Sequence, residues 1–149
     1  MGREKNPKLT AEERETNSAM KTLMRLGWGA NDPTFRQLFT SSMMPGATKA
    51  QIDAFNELQR VSASAECAVR YLETVNNFDV RDLLPQVQAP TLVMHVRDDP
   101  RIAVSLGRDM AAGIPGARFV ALPGPNHVLL EQDPGPPILL EEIRNFIAD

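Results

Sequence analysis

The sequence predicts an α/β protein: a helical first part, residues 1–84, followed by a β-α-β-α unit with parallel strands, residues 85–149. Two observations carry this reading. Apolar residues recur at helical spacing through the first part, and nine of the twelve prolines fall from Pro85 onward, between short apolar runs. A third sharpens it: two such runs flank a single helical pattern, and strand, helix, strand within about 30 residues is a βαβ unit with a right-handed crossover.

The helices follow in order. Thr10-Ala11-Glu12-Glu13 fits a capping box, in which a hydroxyl and a carboxylate each take an orphan backbone N–H. Met20, Leu23, Met24 and Trp28 then form an apolar stripe, and Gly27 and Gly29 suit its end. Asp32-Pro33 is a cap followed by proline at the first helical position, with Phe35, Leu38 and Phe39 facing one way behind it. Thr48 with Gln51 makes a second capping box ahead of Ile52, Phe55, Leu58 and Val61. After Ser64, the residues Ala68, Leu72 and Val75 mark a fourth helix. Met and Phe at this spacing are read as packing residues, because an amphipathic helix must cover something.

In the second part, Thr91 to Val96 is a nearly continuous apolar run, the pattern of a strand buried on both faces. A weak helical pattern from Ile102 to Ala112 stops at Gly113. Arg118 to Leu122 is the second strand, closed by Pro123-Gly124-Pro125, and Ile138, Leu139, Ile143, Phe146 and Ile147 form the apolar face of a last helix.

Composition narrows the function classes. Of 149 residues, 42% are hydrophobic and 23% charged, with a formal net charge of −3. That excludes a disordered polyelectrolyte and gives no electrostatic reason to expect nucleic acid or an anionic membrane as partner. The single Cys67 excludes an intrachain disulfide framework and a zinc ribbon. No apolar run approaches the roughly 18 residues that span a bilayer. Met1-Gly2-Arg3-Glu4-Lys5-Asn6 has no apolar segment behind its charges, so no signal peptide is expected and the chain reads as soluble and cytoplasmic.

The chemistry should gather where the strands end, because loops leaving the C-terminal ends of parallel strands share one edge. The first strand runs into Arg97-Asp98-Asp99-Pro100 and the second into Gly124-Pro125-Asn126-His127. Neighbouring strands lie about 5 Å apart, so an acid from one loop can reach an imidazole from the other. The carboxylate would fix the ring's tautomer, leaving the second nitrogen as general base. On spacing alone the alternative is a surface histidine beside two solvated aspartates. His95, Asp98, Asp99 and His127 could form a metal site, but His95 lies inside a strand, where a packed, hydrogen-bonded ring is the simpler state; neither metal nor cofactor is expected.

These residues resemble a known family. Pro90 to Pro100, Ile114-Pro115-Gly116-Ala117-Arg118-Phe119, and Asn126-His127 with Leu129-Leu130-Glu131 are similar to the C-terminal segment of α/β-hydrolase-fold proteins, whose pattern is a strand ending in His-Gly-x-x-Asp, a helix, a strand and a histidine loop. The family's catalytic acid falls on Asp99 and its histidine on His127. Leu26-Gly27-Trp28-Gly29, Phe35 to Thr40 and Phe55 to Arg60 resemble the helical cap of a branch often joined to adenylate cyclase or helix-turn-helix regulator modules. The resemblance implies a partial α/β-hydrolase fold, with residues 1–84 cap-like and 85–149 the C-terminal part of the core. It also implies a serine-type esterase; the sequence does not give the substrate, and Met, Phe and Leu in the cap-like part only suggest a small apolar ester-like molecule.

Two departures bear on this. Val96 stands where the family has glycine, which leaves Asp98 as the alternative acid. The Gly-x-Ser-x-Gly nucleophile elbow and the His-Gly-Gly oxyanion loop are absent, and chain order in this fold puts both before the cap, upstream of Met1. Ser41, Ser42, Ser62, Ser64, Ser105 and Cys67 all fall in or beside expected helices, none on a strand-to-helix turn. The chain therefore reads as the back half of a hydrolase, carrying the acid and histidine of a triad and inactive alone. Two strands make a marginal sheet with a bare edge, so a homo-oligomer or a complementing N-terminal hydrolase segment is the expected partner. The alternative function is a non-catalytic sensing or interaction module derived from a hydrolase domain.

Overall fold

A computed structural model describes residues 10–148. The chain divides into two compact units. One holds the described residues up to Thr40 together with Thr48–Val80; the other holds Ser41–Ala47 together with the described residues from Arg81 onward. The division does not follow 1–84 and 85–149 residue for residue. A 3-10 helix at Arg81–Gln86, absent from the sequence reading, belongs to the second unit, because Leu84 lies against Gly113, where a Cβ would come within 2.7 Å of the leucine Cδ1.

The first unit is built on α1 (Ala11–Gly27), most of α2 (Thr34–Met43), α3 (Lys49–Ser62) and α4 (Ala65–Asn76). Local chemistry sets their starts. Asp32 Oδ1 accepts the backbone N–H of Thr34 at 2.8 Å, the cap expected before Pro33. Thr48 and Gln51 form the reciprocal capping box, and Ser64 Oγ accepts the N–H of Cys67 at the head of α4. The Glu13 side chain of the expected box at Thr10, like Met1 to Asn6, lies outside the described residues. α1 packs along α4, and Met24, Phe39, Ala68 and Val69 are buried.

The buried faces are turned only in part from those expected: Phe39 is buried and Phe35, Ile52 and Phe55 are half-buried, but polar residues share the interior. On α2, Arg36, Phe39 and Thr40 are buried and Leu38 is 54% exposed; on α3, Asn56 and Gln59 are buried and Leu58 and Val61 are exposed. Hydrogen bonding explains the turn. Arg36 Nη1 donates to the carbonyls of Trp28 and Ala30 at 2.8 and 2.5 Å, closing the C-terminal end of α1, where the helix dipole favours a cation. Thr40 Oγ1 donates to Asn56 Oδ1 at 2.6 Å and accepts from Gln59 Nε2 at 2.7 Å, so α2 and α3 are joined by a polar seam.

The second unit carries β1 (Leu92–Val96), α5 (Val104–Gly113), β2 (Arg118–Leu122) and α6 (Gly135–Ala148). The strands are parallel, with Leu92 opposite Arg118 and Val96 opposite Leu122. Gly116, at φ +72°, supplies the left-handed turn that feeds β2. α5 and α6 both pack on the strands, and Arg118 pairs with Glu142 of α6 at 3.0 Å. Leu92 to His95 are only partly buried, less than the apolar run suggests, because among the described residues the sheet has two strands. No helix among the described residues is long and apolar enough to cross a membrane.

Candidate active site

The register brings the two strand ends side by side, and the ladder runs one residue further, with Arg97 N donating to Leu122 O at 2.8 Å. Val96 takes an ordinary negative φ and buries its side chain. The chain then turns. Asp99 Oδ1 accepts the backbone N–H groups of Arg101 at 2.7 Å and Ile102 at 3.0 Å, a turn only a short side-chain acceptor can close. After β2, Gly124 adopts φ +144°, open to glycine alone, and sends the chain into Asn126-His127.

The two loops meet at a hydrogen bond. His127 Nδ1 lies 2.7 Å from Asp99 Oδ2; the Asp99 side chain is 4% exposed and that of His127 32%. Burial pushes the Asp99 carboxyl up, but the bonds from His127 and from the N–H groups of Arg101 and Ile102 outweigh it and hold the group below its ordinary value. An ionised carboxylate only accepts, so in the neutral ring the proton sits on Nδ1 and Nε2 presents its lone pair. Nε2 has no hydrogen-bond partner among the described residues. The pair can hold and move a proton at Nε2.

Asp98 is exposed and makes no hydrogen bond or ion pair among the described residues; the carboxylate that meets the ring is that of Asp99. His95 stays in β1, its Nδ1 2.8 Å from the carbonyl of Val96 and its ring packed against Gly107. Among the described residues no three His, Cys, Asp or Glu side chains gather into a metal-holding group. Ser41 and Ser42 end α2, Ser62 ends α3, Ser64 caps α4, Ser105 lies in α5 and Cys67 is exposed on α4; none of them hydrogen-bonds to His127.

The sequence left the surroundings of the pair unread. Ser41–Ala47 runs beside both loops: the Met43 carbonyl accepts the backbone N–H of His127 at 2.8 Å, Arg101 Nη1 donates to Ser42 Oγ at 3.1 Å, and Gly46 N donates to Asn126 Oδ1 at 2.8 Å. Asn126, wholly buried, donates through Nδ2 to both carboxylate oxygens of Asp133, at 2.8 and 3.0 Å, and Asp133 Oδ2 also accepts Leu130 N at 2.9 Å. Asn126 stands beside the histidine in the sequence, but nothing in the pattern points to Asp133 or to residues 41–47.

No family model and no curated protein sequence matches the chain. Solved structures do. A hydrolase from Oleispira antarctica matches with a TM-score of 0.70 at 19% identity, over 89% of this chain and 48% of that one. A hydrolase from Pseudomonas aeruginosa matches with a TM-score of 0.67 at 21% identity, over 89% of this chain and 51% of its own. An esterase from Exiguobacterium antarcticum matches with a TM-score of 0.62 at 18% identity, over 91% and 46%. At these identities the likeness is one of fold. The chain spans about half the length of these structures, and its fold is a partial α/β-hydrolase fold.

Proposed function

We propose that this chain supplies the acid and histidine of a Ser-His-Asp triad for ester hydrolysis, with the nucleophile and oxyanion donors contributed from outside these 149 residues. The observation that carries the reading is the 2.7 Å contact between His127 Nδ1 and the buried Asp99 carboxylate, with Nε2 left without a partner among the described residues. The esterase among the structures of like fold favours the same chemistry.

In this reading Asp99 holds the ring in the Nδ1–H tautomer. As a serine hydroxyl attacks the ester carbonyl, His127 Nε2 takes its proton and then passes it to the departing alcohol. Water, deprotonated at the same nitrogen, releases the acid and restores the serine. Without nucleophile or oxyanion donors the chain alone should leave p-nitrophenyl esters untouched. Assayed together with a complementing N-terminal hydrolase segment that carries a Gly-x-Ser-x-Gly turn, it should hydrolyse them, and His127→Ala should abolish that activity. Hydrolysis by the purified chain alone, lost in His127→Ala, would place the nucleophile within these residues and overturn the proposal.

A second reading, a non-catalytic interaction module, is favoured by the large apolar side chains left exposed on the helical unit, among them Leu26, Leu58, Val61 and Tyr71. An assembled protein that binds small esters without cleaving them would decide for it.

A further inference from the structure

The geometry points to Asn126 as a positioning residue: its amide locks the His127 loop to residues 41–47, and this lock keeps the imidazole on Asp99. The inference rests on the reading of Asp99 and His127 as the acid–histidine pair and goes beyond it by naming what holds the histidine in place.

Three facts converge. The Asn126 side chain is wholly buried and fully used: its carbonyl oxygen accepts from Gly46 N at 2.8 Å and its amide nitrogen donates to both oxygens of Asp133. One residue on, the backbone of His127 is fixed to the same segment, through its N–H to the Met43 carbonyl at 2.8 Å. The approach is also close. A Cβ at Gly46 would stand 3.1 Å from Asn126 Nδ2 and 3.3 Å from Oδ1, and the amide, held at both ends, has no room to give. Two anchors on consecutive residues fix both the position and the heading of the loop, and a third of the imidazole is exposed with only Asp99 holding the ring itself. A residue that merely filled the core would need no such pairing of donor and acceptor.

The chemistry of the network yields a discriminating test. Asn126→Asp sets two buried carboxylates against each other and removes the donor to Asp133. Combining it with Asp133→Asn restores a bond between 126 and 133 with its direction reversed and keeps the two backbone bonds: a carboxylate at 126 accepts from Gly46 N and from the new amide at 133, whose oxygen accepts from Leu130 N. The chain has two histidines, so with 15N-labelled histidine the tautomer of each ring is read by NMR, and His95, in β1, reports whether the unit is folded.

In the unaltered chain His127 should show the Nδ1–H tautomer with a low-field proton. Asn126→Asp should lose that proton while His95 keeps its folded signal, and the double exchange should recover it. Gly46→Ala, which leaves the amide chemistry intact, should lose it too. If Asn126→Asp unfolds the chain and both rings become equivalent to free imidazole, Gly46→Ala and the double exchange decide on their own. A folded Gly46→Ala or Asn126→Asp chain that retains the Nδ1 proton overturns the positioning role, and so does a folded double exchange that fails to recover it. Absence of the Nδ1–H tautomer from the unaltered chain would instead sink the acid–histidine pair itself, so the two failures are separable.

Discussion

Replacing Asp99 separates the structural from the chemical work of one carboxylate. Its Oδ1 closes the turn by accepting the N–H groups of Arg101 and Ile102, and its Oδ2 accepts the hydrogen bond from His127 Nδ1–H. Asp99→Ala strips an acceptor from all three donors. Ordinary hydrogen bonds contribute about 0.5–1.5 kcal/mol each and those to charged groups about 1.5–3. The Ile102 bond is exposed and the other two are half-buried, so the low end applies and the loss should be about 2–4 kcal/mol. Asp99→Asn keeps an oxygen for the turn, and its cost should stay within about 1.5 kcal/mol. It nevertheless offers the ring an N–H in place of an acceptor, so His127 must turn its proton to Nε2 and ceases to be a base there. Urea titration of the three chains measures the first effect, through midpoints at constant slope. The histidine 15N spectrum measures the second. An Asn variant as unstable as the Ala variant, or one that keeps the Nδ1–H tautomer, would refute the division of labour between the two oxygens.

The same carboxylate sets an acid limit. Its folded value lies below the ordinary 3.8 of an aspartate, so the stability it contributes is fully present above that value and is lost as the pH falls through the folded one; Asp99→Asn should flatten the decline in stability below pH 3.8, read from urea midpoints across that range. Thr48→Ala removes the hydroxyl half of the α3 capping box and should cost about 1 kcal/mol in the same titration. At Gly107 a Cβ would stand 2.9 Å from the His95 ring, and Gly107→Ala should cost about 1–3 kcal/mol and shift the His95 NMR signals while leaving those of His127 in place.

The elements were legible because their signals are local. Thr48 with Gln51, Asp32 before Pro33 and the apolar runs ending at Val96 and Leu122 each act within a few residues, and each stands where the pattern put it. Which face a helix buries is decided elsewhere. Leu38 looked like core, but the carbonyls at the end of α1 needed Arg36, and Asn56 and Gln59 needed Thr40, so α2 turned its polar side inward. At the candidate site, parallel strand ends and the family resemblance brought Asp99 and His127 into view together. The brace behind them leaves no mark in the sequence, because Gly46 carries no side chain and its contribution is a backbone N–H that any residue except proline would have.

That brace also bears on when the site forms. Asp99 and His127 are 28 residues apart in sequence, whereas Gly46 and Asn126 are 80 apart, with α3 and α4 between them. Closing the longer loop carries about 0.9 kcal/mol more chain entropy than closing the shorter. Helices start from local caps and form early, while a tie of this span comes late. Asn126 should therefore show a φ-value near zero, its loss speeding unfolding far more than it slows folding. A nascent molecule would then carry its acid and its imidazole on paired strands before the final clasp sets their alignment.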